Sequence, residues 1–261
     1  MRRVADMTRV IKVGGRPQLD SALPAALAAA NRAASGSLVV VHGGGDEIST
    51  LQKMYGAVAQ FTEGRRVTTA LDLEIVRMAL SGSANKRLVS ALVGQGVAAL
   101  GLSGEDAGLL SAAPLDPAKY GYVGVPRGVN VELLNHLLAA GYLPVLSPVS
   151  RSTEPGAAAT LNVNGDDAAA AIAVAMNAEE LLLVSDVAGV LVDGSAITSL
   201  GPDEAQRLID DGTAQGGMGA KVRAALAALE GGVERVRISD IAAIEQLDRG
   251  TVLTRAGSMC A

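Results

Sequence analysis

The sequence predicts an α/β protein, a three-layer α/β/α sandwich around a mostly parallel central sheet. Three observations predict it. Short aliphatic runs that end in Gly, Ser or Asp alternate with stretches of helical character, the order that gives parallel sheets covered by helices. The runs are near-continuously apolar rather than alternating, as strands buried on both faces are. Hydrophobic residues make up 49% of the 261 residues but aromatics only 2%, so a large core must be built from Ala, Val, Leu and Ile.

In order, Val10 to Val13 reads as the first strand and runs into Gly14-Gly15. The Ala-rich stretch Leu19 to Ala34 reads as a helix, and Leu38 to Val41 as a strand running into His42-Gly43-Gly44-Gly45. Thr69 to Gly94 reads as a helix interrupted at Gly82 and Ser83. Val97 to Leu100 is a strand that meets Gly101-Leu102-Ser103-Gly104. Val131 to Ala140 is a helix by the spacing of its leucines, and Leu143 to Leu146 a strand. The polar, turn-rich stretch from Ser150 to Thr160 marks a joint between two lobes, 1–150 and 151–261, that share one continuous sheet. Beyond it come an extended Asn162-Val163-Asn164, a helix from Asp166 to Met176, a strand Leu181 to Val184, helices Pro202 to Asp211 and Met218 to Leu229, and a strand Val233 to Ile238.

Composition narrows the function. A net charge of −5, a pI near 5.1 and the scarcity of aromatic rings argue against a nucleic-acid partner. The single cysteine, Cys260, excludes an intrachain disulfide and a multi-cysteine zinc site, and two histidines, His42 and His136, are too few for a histidine cage. The longest apolar run, Ala168 to Met176, is far short of the roughly 20 residues a membrane span needs. Asp6, Arg9 and Lys12 break up any apolar segment after Met1-Arg2-Arg3, so no signal peptide is expected. The expectation is a cytoplasmic protein without a membrane or nucleic-acid partner.

Ligands of open α/β sheets sit beyond the carboxyl ends of the strands. Lys12 with Gly14 and Gly15, and the His42–Gly45 turn, stand there. A lysine in a buried run must reach water or an anion, and glycines let backbone N–H groups approach one. The bland alternative is tight turns beside a snorkelling lysine. Gly216-Gly217-Met218-Gly219-Ala220-Lys221 brings a second lysine to a helix N-terminus, where positive charge accumulates to no purpose unless an anion binds; a solvated lysine is the alternative. In Asn162-Val163-Asn164-Gly165-Asp166-Asp167, one acid is expected to cap the following helix, leaving the other acid and two amides for a ligand. There is no Gly-Lys dipeptide for a Walker A loop, no G-x-G-x-x-G after the first strand and no G-x-S-x-G. What remains suits phosphoryl transfer, which needs positioning and charge stabilisation rather than a protein nucleophile.

These blocks, in order from Val10 to Leu253, resemble the amino-acid kinase family, and within it the branch acting on acetylglutamate. The resemblance rests on Lys12-Val13-Gly14-Gly15, Val41-His42-Gly43-Gly44-Gly45, Gly64-Arg65-Arg66-Val67-Thr68, Asn85-Lys86-Arg87, Gly101-Leu102-Ser103-Gly104, Gly121-Tyr122-Val123-Gly124 and Gly141-Tyr142-Leu143-Pro144-Val145. It continues through Asn162 to Asp166, Ser185-Asp186-Val187-Ala188-Gly189-Val190, Gly217 to Val222 and Gly250-Thr251-Val252-Leu253. It implies the amino-acid kinase fold and phosphorylation by ATP of the side-chain carboxylate of N-acetyl-L-glutamate, a step of arginine biosynthesis. By it, 1–150 binds the acyl amino acid and dimerises, and 151–261 binds ATP. Lys12, Lys221 and Asp166 would be catalytic, the lysines flanking the moving phosphoryl group and Asp166 orienting both. Gly44, Gly45, Arg66 and Asn162 would hold the acceptor, and Gly14 and Gly15 the phosphates. Asp186, Val187, Ala188, Gly189, Val190 and Leu191, with Thr213, Ala214 and Gln215, would border the nucleotide. Mg²⁺ would be held mainly by the nucleotide phosphates, with no protein metal site.

Three features depart from the family pattern. Arg65 stands where an apolar residue is usual, which opens a second reading: a larger or more acidic acceptor, such as N-succinylglutamate or a carrier-bound aminoadipate or glutamate, against the simpler reading of a solvated arginine. Gly165 replaces the usual Ala and should loosen the loop before Asp166, and Thr254 to Ala261 extends past the usual end. Arginine-inhibited members carry an extra N-terminal helix, and the short segment before Val10 therefore implies a homodimer without arginine feedback. A non-catalytic nucleotide sensor is the third reading, but no charged site residue is missing.

Overall fold

A computed structural model describes residues 8–34, 36–154 and 160–254. The Met1-Arg2-Arg3 start, residues 155–159 of the expected joint, and the tail with Cys260 lie outside the described residues.

The chain opens with β1 (Arg9–Val13), a 3-10 turn (Arg16–Leu19), α1 (Leu23–Ala33), β2 (Leu38–His42), α2 (Gly45–Met54) and a small hairpin of β3 (Phe61–Thr62) and β4 (Arg65–Arg66). Helix α3 (Ala70–Arg77) continues through a π-helical stretch (Met78–Ala84) into α4 (Asn85–Gly94). Next come β5 (Ala99–Gly104), β6 (Leu110–Pro114), α5 (Pro117–Tyr120), β7 (Val123–Val129), α6 (Val131–Ala139), a long β8 (Leu143–Ser152) and β9 (Thr160–Val163). The remainder is α7 (Gly165–Ala175), β10 (Glu180–Val184), a hairpin of β11 (Leu191–Val192) and β12 (Ser195–Ala196), β13 (Ser199–Leu200), α8 (Pro202–Asp210), α9 (Gly216–Glu230), β14 (Arg235–Ser239) and β15 (Thr251–Thr254).

Among the described residues, one 11-stranded sheet runs β13-β15-β14-β10-β1-β2-β8-β6-β7-β9, with β5 also on β8. Its centre is parallel, as the apolar runs predict, and it includes antiparallel pairs β6–β7, β8–β9 and β14–β15. Strand alternation divides the core into two layers. Ile11, Val13, Val40 and Leu182 pack with α1 and α4, while Val10, Val39, Val41 and Leu183 pack with α7 and α9. Lys12 lies between Ile11 and Val13 on β1, so alternation turns it to the α7 and α9 side.

Several boundaries differ from expectation. Helix α1 begins at Leu23 with Pro24 in its first turn, where a missing N–H costs nothing. Gly82 and Ser83 do not interrupt the long helix; a π-turn carries it through. The strand expected at Val97 begins at Ala99 and runs through Gly101 and Gly104, because pairing with Leu143 to Ser147 uses backbone groups that glycines also supply. The strand expected from Val233 begins at Arg235, Val233 being buried in the turn after α9. No described helix is long and apolar enough to cross a membrane.

Candidate active site

Strands β1, β2 and β10 end level, since Val13 pairs with both His42 and Val184. Three turns therefore leave the sheet at one edge: Gly14-Gly15, Gly43 to Gly45, and Ser185-Asp186. The first two touch. A Cβ on Gly15 would lie 3.2 Å from the Gly45 backbone nitrogen, so glycine there keeps that amide approachable. Helix α2 starts at Gly45 and α9 at Gly216, and no side chain caps either one. Their first-turn N–H groups thus supply donors and positive potential to the same edge. Gly14 is not such a donor: its N–H donates to the Val184 carbonyl at 3.2 Å, so its expected phosphate role reduces to lining the cleft.

The centre of the site is Asp166. It sits in the first turn of α7, whose cap is Asn164; the Asn164 side chain accepts from the N–H groups of Asp166 and Asp167. This corrects the expectation that one of the acids would cap the helix. The amide does so, and both carboxylates are left for other partners. Asp166 Oδ1 lies 2.7 Å from Lys12 Nζ, and Oδ2 accepts from Lys221 Nζ at 3.3 Å. All three side chains are buried. Lys221 is on the second turn of α9 rather than its first, which carries its ammonium back toward the helix start. Gly165 makes room for the lysine stem, since a Cβ there would press within 3.2 Å of Lys12 Cε. An alanine there would press on the Lys12 stem, so the glycine relieves crowding at the start of α7.

Burial pushes the Lys12 ammonium down to about 8, with the charge of Lys221 adding to the effect and Asp166 opposing it. Burial works to raise the Asp166 carboxyl, but the two ammonium groups outweigh it and hold it below the usual carboxylate range. His42 is buried and pushed down to about 4, chiefly by desolvation. Its Nε2 faces the Asn85 amide nitrogen at 3.0 Å and its Nδ1 faces the Gly43 carbonyl at 2.9 Å. With Asn85 donating to Nε2, a neutral imidazole carrying its proton on Nδ1 donates to Gly43, and His42 thereby steadies the glycine turn.

On one side of Asp166 is a cavity of about 200 Å³ lined by Lys12, Gly44, Gly45, Arg66, Asn162 and Asp166, among others. All the residues expected to hold the acceptor line it. Arg66 is placed by residues that the sequence reading missed. Its guanidinium donates to Gln52 Oε1, to Ser49 Oγ at 3.0 Å and to the Gly45 carbonyl at 3.1 Å, and stands 4.7 Å from the centre of the Phe61 ring. Gln52 is fixed in turn by Asp72 at 2.5 Å, and Asp72 closes a capping box with Thr69. Asn162 donates to Thr68 Oγ1 at 2.9 Å. Arg65 is not solvated, contrary to the simpler expectation: it pairs with Asp167 at 2.7 Å, half-buried.

On the other side is a cleft of about 500 Å³ lined by Asp186, Val187, Leu191, Thr213, Gln215, Met218 and Lys221. A connecting cleft of about 260 Å³ holds Gly14, Gly15, Gly45, Asp186 and Lys221, so the cavities join through Gly15 and Lys221. Gly189, Val190 and Ala214 are buried, while Ala188 is exposed and its carbonyl accepts from Ser239 Oγ at 3.1 Å. None of these four lines the cleft. Among the described residues, no group of three or more His, Cys, Asp or Glu side chains could hold a metal ion.

A glycine-rich carboxyl edge and two ammonium groups thus meet at the junction of two clefts, an arrangement suited to an anionic ligand. The chain belongs to the amino acid kinase family, whose model matches residues 7–240. It is 44% identical over 247 residues to acetylglutamate kinase of Chloroflexus aurantiacus, covering 94% of this chain and 96% of that protein. It is 44% identical over 233 residues to acetylglutamate kinase of Geobacillus stearothermophilus, covering 88% and 89%. Among solved structures, smu.665 of Streptococcus mutans UA159 superposes with a TM-score of 0.86 at 30% identity, covering 97% of this chain and 99% of that one. The chain is a kinase.

Proposed function

We propose that the chain transfers the γ-phosphoryl group of ATP to the side-chain carboxylate of N-acetyl-L-glutamate, giving N-acetyl-L-glutamyl 5-phosphate in arginine biosynthesis. The observation that carries this reading is the double ion pair of Asp166 with Lys12 and Lys221, placed where the two clefts meet. An acceptor carboxylate oxygen in the smaller cavity forms a bond to the γ-phosphorus as the bridging bond to the β-phosphate oxygen breaks, and ADP leaves with that electron pair. An ionised carboxylate has no proton to lose, so no general base is needed. Lys12 faces the acceptor side and Lys221 the nucleotide side; each stabilises charge at one end of the transfer. Asp166 holds both in register. The amides of Gly15, Gly44 and Gly45 approach the phosphoryl oxygens, and Arg66 and Asn162 meet the carboxylate and amide of the acceptor.

The residues present fit a nucleotide triphosphate: two buried lysines, approachable glycine amides and two uncapped helix starts. Magnesium, held mainly by the phosphates, supplies further charge neutralisation. Asp186, Val187, Leu191, Thr213 and Gln215 border the base and ribose. The Arg65–Asp167 pair speaks against Arg65 as a reader of a second substrate carboxylate, since its charge is already matched. The 1–150 half supplies most of the acceptor side and 151–261 most of the nucleotide side, although Asn162 and Asp166 reach the acceptor cavity from the second half. The reading includes a cytoplasmic homodimer joined through the first half.

An ADP-release assay with ATP, Mg²⁺ and a panel of N-acetyl-L-glutamate, N-succinyl-L-glutamate, N-acetyl-L-aspartate and carrier-bound aminoadipate tests the reading. N-acetyl-L-glutamate is expected to give the highest kcat/KM; preference for the succinylated or carrier-bound acid would overturn the acceptor assignment. Light scattering would test the dimer.

A further inference from the structure

We infer that Arg65 and Asp167 form a positioning pair that fixes the β3–β4 hairpin against α7, and so sets Arg66 relative to Asp166; the inference rests on reading the cavity they flank as the acceptor site. Arg65 and Arg66 are neighbours on one short strand, so their side chains leave opposite faces. Arg66 goes to Gln52, Ser49 and Gly45 of α2. Arg65 goes the other way, to Asp167 of α7 at 2.7 Å. Asp166 and Asp167 are neighbours on a helix, where successive side chains point about 100° apart. Asp166 turns to the lysines and Asp167 to the hairpin. A single ion pair thus joins the element that carries Arg66 to the element that carries Asp166.

The hairpin lies outside the main sheet and its ladder is short, Phe61 with Arg66 and Thr62 with Arg65, extended by the Val67 N–H donating to the Gln60 carbonyl at 2.9 Å; ribbons of this size do not hold themselves in water. Arg66 anchors it to α2 and Thr68 anchors its end beside Gly121, whereas Arg65 ties it to α7. Its tip is tied by Glu63 to Lys119 and to the Tyr120 hydroxyl, each at 2.6 Å, but Glu63 and Lys119 are exposed, and exposed bridges contribute little. Arg65–Asp167 is the less exposed tie, with side-chain exposures of 26% and 19%. It also stands in the wall between the acceptor cavity and an apolar groove of about 570 Å³ beside α7 and α9, where loss of the pair would leave a largely buried carboxylate unmatched.

The test uses Arg65→Met, Asp167→Asn, the charge-conserving Arg65→Lys and the reciprocal double variant Arg65→Asp with Asp167→Arg. Acceptor and ATP are varied separately, and hydrogen exchange is followed at the amides of residues 61–66 in the ligand-free protein. Arg65→Met and Asp167→Asn are expected to raise the acceptor KM about tenfold with the ATP KM within twofold, and to speed exchange in the hairpin; Arg65→Lys and the reciprocal variant should recover much of both. Unchanged exchange at 61–66 in both single variants would overturn the inference. So would a parallel change in both KM values with no recovery by Arg65→Lys or the reciprocal variant, the pattern of a pair that only supports the fold. Should N-acetyl-L-glutamate prove not to be the acceptor, the exchange measurement still decides whether the pair holds the hairpin, so the two failures are distinguishable.

Discussion

Lys12 and Lys221 share the two oxygens of one carboxylate, Asp166, although one comes from the first strand and the other from the last long helix. Like charges so close are unfavourable in a buried site, and the carboxylate between them offsets only one. In the proposed function, this residual positive charge is what holds the transferring phosphoryl group.

The lowered Lys12 gives a pH dependence. The ammonium is present below about 8 in the free protein and is lost as pH rises through that value. A kcat/KM profile reports groups of the free enzyme. It is expected to fall on the alkaline side from near pH 8, while neutral His42, pushed down to about 4, adds no step between pH 5 and 7. A profile flat to pH 10 would contradict the lowering of Lys12 by burial.

Arg66→Ala and Gln52→Ala separate contact from support. Hydrogen bonds to charged groups contribute about 1.5–3 kcal/mol, so Arg66→Ala should raise the acceptor KM roughly 10–100-fold with a smaller change in kcat. Gln52→Ala should shift the same constant in the same direction by less, because Ser49 and Gly45 still hold the guanidinium. Initial rates at varied acceptor would show it; an unchanged acceptor KM in Arg66→Ala would remove Arg66 from the site.

Replacing Lys12 or Lys221 with Ala should each lower kcat about 10²–10³-fold, the typical loss of a donor aimed at developing charge. Single-turnover rates at saturating ATP and acceptor give the number, and wild-type turnover in either variant would defeat the assignment.

Stability should depend on a different cluster. Glu180 is held by Arg237 at 2.5 Å and Arg9 at 2.8 Å, at the edge of the sheet opposite the glycine turns. Burial works to raise its carboxyl, but the guanidinium groups hold it below the usual range. A lowered folded pKa means this stabilisation is complete above the ordinary value and disappears as pH falls through the folded one. Glu180→Gln, which leaves buried Arg237 without its carboxylate, should cost about 3–5 kcal/mol and lower Tm by on the order of 10 °C, with kcat little changed. Calorimetry checks the first and the ADP-release assay the second.

The sequence showed the parallel core strands because each is a compact aliphatic run, and it showed Lys12 because a lysine in such a run is conspicuous. Strands β6 and β7 are not legible in the sequence: Pro114, Gly124, Pro126 and Gly128 interrupt them, and their pairing lies at one side of the sheet. Helix α2 was hidden behind the glycine turn, since Gly45-Asp46-Glu47 reads as loop. At the site, Arg66 carried a signal but Gln52, Ser49 and Phe61 did not, because their role comes from how α2 and the hairpin meet. The pairing of Arg65 with Asp167 likewise joins residues far apart in sequence and is visible only in the fold.

The most direct test is a crystal structure with ADP, aluminium fluoride and N-acetyl-L-glutamate bound together. The account predicts both Nζ atoms within hydrogen-bond distance of the planar fluoride, with Asp166 still bridging them and the side-chain carboxylate in line. A structure in which either lysine turns away from the fluoride, or the acceptor lies outside the Arg66 cavity, would contradict it.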